Sequence, residues 1–430
     1  MRPTDPARAA LLRDTNFRWL MAGGAISMLG DQFTLIALPW LVLQMTGDPL
    51  ALGLVLAVMG VPRAIFILVG GALVDRYSPK RVMMLSKYAN AFLLGLLSLL
   101  VLSHQVTMPI VYALALGIGL ASAFSIPAGT AMLPSVVALD QLHLANGIMM
   151  STRVLTSLAG PLLAGVLIAF SGHDASAIAD SRGLGIAFAL DALTFAATIW
   201  TLHQVRMHAS AVRAAPERVL RAVAGGIAMV WRDREMRAAF LYWGMISLVV
   251  GGAMQVAMPV LASSRLGGAA ALGLVLGGHA AGSLLGMTLS SIRSDLRIGT
   301  LGTTLLAADA AAGLVLMLMG GVDAAWQAAA LMLVLGALSG FMQVAVFTWI
   351  QRRVPREMLG RTMSIFMFIL LGLAPLAASV TGWLMQYLTL AQLFIGAGAF
   401  LLVGAACAFA LTPMRVMNDA KSATISGSPP

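Results

Sequence analysis

Twelve stretches of about 20 apolar residues, separated by short polar segments, constrain this 430-residue chain more than any other feature. Each is long enough to cross roughly 30 Å of hydrocarbon as an α-helix. With 60% hydrophobic and 10% charged residues, the chain lacks the polar surface that a soluble fold of this length requires. A membrane β-barrel would instead show short alternating segments. The expected fold is an all-α polytopic membrane protein. Its spans fall at about 17–44, 50–74, 81–103, 108–134, 144–170 and 183–204, then about 237–263, 270–292, 299–320, 325–350, 362–386 and 390–412.

The chain is internally duplicated. Ala51-Leu52-Gly53-Leu54-Val55-Leu56 returns as Ala271-Leu272-Gly273-Leu274-Val275-Leu276, and at the same shift Pro39 answers Pro259, Leu41 answers Leu261 and Gly47 answers Gly267. Two pseudo-symmetric halves follow, residues 17–204 and 237–412. They are flanked by an N-terminal segment (1–16) and a C-terminal segment (413–430), and joined by a loop (205–236). Six spans is an even number, so both halves enter the membrane from the same side, as a parallel repeat. The tail beyond about Met417 is expected to be disordered.

Charge fixes an expected orientation. Arg76, Lys80, Arg81, Arg206, Arg213, Arg218, Arg221, Arg232, Arg234, Arg293, Arg297, Arg352, Arg353, Arg356 and Arg361 fall in one set of loops, against Arg182 and Arg265 in the other. Positive loops remain inside, so both termini are expected in the cytoplasm of a bacterial inner membrane. The net charge of +10 is spread over these loops and makes no nucleic-acid-binding patch. Arg218 to Trp231 is expected to form an amphipathic helix on the lipid bilayer surface. The polar, basic lead and the length of the first span do not read as a cleavable signal. Cys407 is the single cysteine and has no intramolecular partner.

Gly71-Ala72-Leu73-Val74-Asp75-Arg76-Tyr77-Ser78-Pro79-Lys80-Arg81, in the turn after span 2, resembles the G-x-x-x-D-R-x-x-x-R-R signature of the major facilitator superfamily. Gly30-Asp31, Ala37-Leu38-Pro39-Trp40-Leu41-Val42-Leu43 and Pro62-Arg63 resemble the branch containing macrolide-efflux and enterobactin-exporter proteins. So does Val354-Pro355-Arg356-Glu357-Met358-Leu359-Gly360-Arg361. The resemblance covers about residues 15–412. It implies the major facilitator fold, with a cytoplasmic gate at Gly71, Asp75, Arg76, Lys80 and Arg81. Asp75 is expected opposite the start of span 11, near Thr362, at the positive end of a helix dipole. The second half keeps Asp295 at the shifted position but has Ser291 for Gly71 and Leu296 for Arg76, so its gate is expected to be weaker. Gly160, Pro161 and Gly165 resemble the end of an antiporter motif, or mark a kinked, closely packed helix.

Charges inside spans cost about 2.5–3.5 kcal/mol each on insertion scales and call for a reason. Asp31 and Arg63 fall at similar depth on neighbouring spans, where a salt bridge is expected. Neither is repeated: Gly251 and Ser283 stand at the shifted positions. Asp31 is the first candidate proton carrier, with Arg63, Arg153 and His279 as further coupling candidates. Arg153 serves as a rival partner for Asp31, contacts an anionic substrate, or snorkels. Asp191 and Asp309, on peripheral spans, read as structural polar contacts. The resemblance implies a cavity lined by spans 1, 4, 7 and 10, with candidates Gln32, Trp40, Phe124, Trp243, Met254, Gln255, Met258, Phe341, Gln343 and Phe347. Aromatic, methionine and amide side chains suit bulky amphipathic ligands.

The expected function is a secondary active transporter, working as a monomer, that exports an amphipathic small molecule (a drug, macrolide-like compound or siderophore) by proton antiport. An importer or uncoupled facilitator is the alternative. A membrane-embedded lipid-modifying enzyme is remote, since no H-E-x-x-H, Cys/His ligand set or nucleophile elbow is present. No P-loop, cofactor or metal site is expected.

Overall fold

The structure is a computed structural model that describes residues 11–76, 78–138, 141–170, 181–207, 219–293 and 296–418. The side chains of 67–76, 143, 169–170, 181, 219–223, 356–357 and 360 lie outside the described set. Twelve described helices are long and apolar enough to cross a membrane. In the first half they are α1 (Thr15–Thr46), α2 (Pro49–Arg76), α3 (Pro79–Leu102), α4 (Met108–Met132), α5 (Leu142–Phe170) and α6 (Ser181–Gln204). A connecting helix, α7 (Val219–Arg232), follows. The second half has α8 (Arg234–Ser264), α9 (Ala269–Ile292), α10 (Leu301–Met319), α11 (Ala325–Arg353), α12 and α13 (Leu390–Leu411). α12 is built from Arg356–Met367, a π-turn over Phe368–Gly372, and Ala374–Leu384. It therefore begins six residues before the expected Thr362. α8 carries a matching π-turn over Ala253–Ala257.

Local chemistry sets the helix ends. The Asp14 carboxylate accepts the Phe17 N–H at 2.7 Å to open α1, and Asp233 accepts the Glu235 and Met236 N–H groups to open α8. The Thr300 and Thr389 side chains cap α10 and α13 in the same way. The repeated glycines Gly47 and Gly267 have φ of 61° and 87°, a left-handed turn that a side chain would strain. Pro39, Pro62, Pro127 and Pro161 lie inside spans, where tight packing against neighbours keeps the helix intact.

The two halves share one packing plan. α3 packs on α6, α2 on α4 and α1 on α5; correspondingly α10 packs on α13, α9 on α11 and α8 on α12. The halves meet along two seams, α2 against α12 and α5 against α9. Both seams are closest at the end of the bundle opposite the chain termini. A Cβ at Gly53 would lie 2.5 Å from the Ala378 carbonyl, and one at Gly165 2.7 Å from the Ala269 carbonyl. At that end a single buried core runs through both halves, from Leu38 and Val55 to Leu272 and Ala378. At the termini-bearing end each half has its own core instead, one around Phe17, Met132 and Leu202, the other around Phe240, Trp349 and Ile350.

Candidate functional site

The first half gathers charge where three helices meet. Halfway along α1, the Asp31 side chain is exposed, although its helix is packed by α5 and α6. The charges acting on it are those of Lys87 on α3 and Arg63 on α2. Lys87 is itself buried, at 8% exposure. Its ammonium donates to the Ser27 hydroxyl of α1 at 2.7 Å and stands 4.5 Å from the centre of the Phe195 ring of α6. Asp191 of α6 is 1% exposed and also interacts with Lys87. Thr34 of α1 donates to one of its carboxylate oxygens and Thr194 to the other, at 3.3 Å. Burying charge at this depth is costly unless it is compensated; here the compensation is hydrogen bonding to Lys87 and Asp191 and opposite charge acting across space.

The expected Asp31–Arg63 salt bridge is not formed; among the described residues the two interact across space, with no contact ion pair. Lys87 acts on the same carboxylate across space, while its ammonium is hydrogen-bonded to Ser27. Nor does Arg153 join Asp31. It lies two helical turns nearer the termini-bearing end than Gly160, which packs against Gln32, and its side chain is exposed. Asp191, expected as a structural polar contact, accepts from Thr34 and Thr194 and also acts on Lys87.

The gate signature is only partly visible. The side chains of Gly71, Asp75 and Arg76 lie outside the described residues, as does Asp295. Arg81 is exposed. Lys80 does not reach the other half: its ammonium donates to the carbonyls of Val205 at 2.7 Å and His203 at 3.3 Å, tying α3 to the end of α6. Gly160, Pro161 and Gly165 lie along the α5 face that meets α1 and α9, with the Pro161 carbonyl against Gly273. These residues make the seam between the halves.

The expected cavity residues divide. Gln32, Trp40, Phe124, Met254, Gln255 and Phe347 are partly exposed and Gln343 is exposed. Trp243 and Met258 are buried, at 8% and 1% exposure, and line no open space. Trp243 packs instead in an aromatic cluster, with ring centres 5.5 Å from Phe366 and 6.3 Å from Trp349. Phe341 lines a cleft with Ser290, Thr304 and Arg352, and its backbone nitrogen lies against Gly286 of α9.

The second half is organised differently. Asp309 of α10, 4% exposed, faces Tyr242 of α8, but neither Asp309 Oδ2 nor the Tyr242 hydroxyl has an aligned hydrogen-bond partner among the described residues. His279 lies beside the Met332 backbone, and its Nδ1 has no hydrogen-bond partner among the described residues. At the termini-bearing end, Arg353 Nε donates to Asp233 Oδ2 at 2.6 Å and Arg353 Nη2 to Asp233 Oδ1 at 3.0 Å. A third nitrogen, Nη1, is 2.8 Å from Glu235 Oε2. Burial alone would raise the Asp233 carboxyl, but the Arg353 bonds and the Met236 and Glu235 N–H groups outweigh it and hold it below the usual carboxylate range.

Sequence reasoning missed Lys87 and the Asp233–Arg353–Glu235 clamp. Starting the span at 81 makes Lys87 look interfacial, whereas α3 starts at Pro79 and the side chain reaches inward to α1. The signal for the clamp was an Asp followed two residues later by Glu just ahead of an apolar run, an N-terminal cap that needs a cation.

Comparison with known proteins agrees with this architecture. The family model described as Major Facilitator Superfamily matches residues 20–379. The enterobactin exporter EntS of Salmonella typhimurium is 27% identical over 354 residues, covering 80% of each chain. That of Citrobacter koseri is 27% identical over 352 residues, covering 80% of this chain and 79% of its own. Among solved structures, a mutant of the nucleoside transporter NupG superposes with a TM-score of 0.72 at 14% identity, covering 92% of this chain and 99% of that one. A bacterial homologue of the iron transporter ferroportin, in an inward-facing state, gives 0.66 at 16% identity, covering 92% and 98%.

Proposed function

The chain belongs to the Major Facilitator Superfamily, and from that premise we propose that it is a secondary active exporter of a siderophore-like amphipathic molecule, driven by proton antiport. Twelve apolar helices make it a multi-pass membrane protein. The basic loops argue for an orientation with both termini in the cytoplasm of a bacterial inner membrane. The seam between the halves then lies at the outer end, and rocking of one half against the other alternates access.

The observation that carries the reading is Asp31, a carboxylate exposed halfway along a membrane span with Lys87 and Arg63 acting on it. A carboxylate in that position takes up a proton when the cations draw away and releases it when they return. One proton falling through 100 mV yields about 2.3 kcal/mol, and each pH unit adds about 1.4. Two steps of that size sustain a several-hundredfold substrate gradient. Export, and the siderophore class, rest on likeness to the enterobactin exporters.

The test is reconstitution in proteoliposomes with an imposed pH gradient and a panel that includes enterobactin. Counterflow that follows the gradient in the wild type, and is lost in Asp31→Asn with ligand binding intact, supports antiport. Transport indifferent to the gradient makes the protein a facilitator, and uptake with the gradient makes it an importer.

A further inference from the structure

We propose that the cleft between α7, α8 and α12 is a binding site for one anionic phospholipid. The site is built in three steps. First, α7 is amphipathic, and two adjacent glycines let one face lie flat on α12: Gly226 packs against Ile365 and Arg361, and Gly225 against Arg361. Val230 on that face is buried, at 6% exposure, whereas Ile227 and Trp231, one turn apart on the outer face, are 48% and 55% exposed. Second, the cleft this leaves, about 150 Å³, is walled by Ile227, Val230, Trp231, Phe240, Leu241, Ile365 and Ile369, with Arg237 as its one charged residue. Leu241 is 58% exposed and Leu248, two turns further along α8, is 43% exposed, so the apolar track continues along the outer surface of α8.

Third, Arg237 is fixed at the mouth. Its Nη1 donates to the Trp231 carbonyl at 3.0 Å, and its guanidinium stands 5.9 Å from the Trp231 ring centre. It lies in the first turn of α8, at the depth where a span meets the headgroup region. Arg232 and Arg234 are exposed beside it, while the two acids of the segment, Asp233 and Glu235, are both engaged by Arg353. The local surface is therefore cationic at one level and apolar immediately below it. That sequence of chemistries matches a phosphate headgroup above an acyl chain. A soluble anion would use the guanidinium but leave Trp231, Ile227 and Leu241 bare.

The site's position gives occupancy a consequence. α7 packs on α12 of the second half and also touches α2 of the first. A lipid seated there braces the connection between the halves at the end where their cores are separate.

Native mass spectrometry of the purified full-length chain tests this, with phosphatidylglycerol and phosphatidylcholine of matched chains as probes. The wild type should retain one phosphatidylglycerol in preference to phosphatidylcholine. Arg237→Gln should lower that preference about fivefold, the electrostatic attraction of one arginine near a membrane surface. Leu241→Trp, which fills the track and spares the arginine, should displace the lipid independently. Arg206→Gln, at an exposed arginine just beyond the end of α6, should leave retention unchanged. Equal retention of the two lipids by the wild type overturns the proposal, as does a loss in Arg206→Gln matching that in Arg237→Gln.

Discussion

Lys87 lies eight residues after Pro79 at the start of α3; Asp309 lies eight residues after Leu301 at the start of α10. Counted from the helix starts, the two halves thus bury opposite charges equally deep in corresponding helices, although at the 220-residue shift Lys87 answers Ala307. Around Lys87 the first half supplies Ser27, Asp31, Asp191 and the Phe195 ring, drawn from α1 and α6. Around Asp309 the second half supplies the Tyr242 hydroxyl and, among the described residues, no cation. Each half thus has a buried charged residue at this depth. Only one half has extended it into a network that reaches an exposed carboxylate, and the second has instead invested in close contact. Gly282 and Gly286 of α9 lie against the Leu333 and Ala337 carbonyls of α11, and Gly336 and Gly340 of α11 against the His279 and Ser283 carbonyls of α9. We read the first half as carrying the chemistry and the second as the stiffer body it moves against.

The sharpest way to break this contrast is Asp31→Asn beside Asp309→Asn. The first should abolish pH-driven counterflow in proteoliposomes, while the second should retain it. Equal loss in both would end the division of roles. Next in size is Lys87→Met, which leaves the buried Asp191 without the cation acting on it and should cost about 3–5 kcal/mol of stability, read as a fall in thermal midpoint. Adding Asp191→Asn should restore much of that loss, because the pair is then removed together. In the stiff half, Gly340→Leu must push α9 off α11 and should cost about 1–3 kcal/mol, with Ala tolerated less well than the wild-type glycine but better than Leu.

The smallest effect is expected at the clamp. Arg353→Gln should cost about 1–2 kcal/mol at neutral pH, the range for a partly buried, hydrogen-bonded charge pair. Asp233 is depressed in the fold, so its stabilisation is complete above the unfolded carboxylate pKa near 4. It is lost as pH falls through the lower folded value. The wild type and Asp233→Asn should therefore differ in melting temperature at pH 7 and converge in acid. A gap that persists at pH 2 would locate the effect in packing.

Span number, pairing of halves and the positions of Asp31, Asp191 and Asp309 were legible because hydropathy and charge are written residue by residue. The misplaced residues share a cause. The resemblance puts span 7, with Trp243 and Met258, beside a cavity, yet lipid-facing, cavity-facing and core surfaces of a span are all apolar, and only the rotation of the helix separates them. Lys87 was overlooked because a long side chain near a span end can turn either way, outward to water or inward to Ser27.

The π-turn in α8 bears on the history of the chain. Twenty-five residues separate the capping Asp14 from Pro39, and twenty-six separate the capping Asp233 from Pro259. The surplus residue falls where the backbone widens, at Ala253–Ala257. A single-residue insertion into one copy of a duplicated gene would have rotated half of the span out of phase with its neighbours; a local widening absorbs it and keeps both ends in register. The 220-residue alignment of the copies is accordingly sound beyond the bulge and slips by one before it. The position matching Asp31 is thus Val250 instead of Gly251, and at that aligned position the second copy carries no charge.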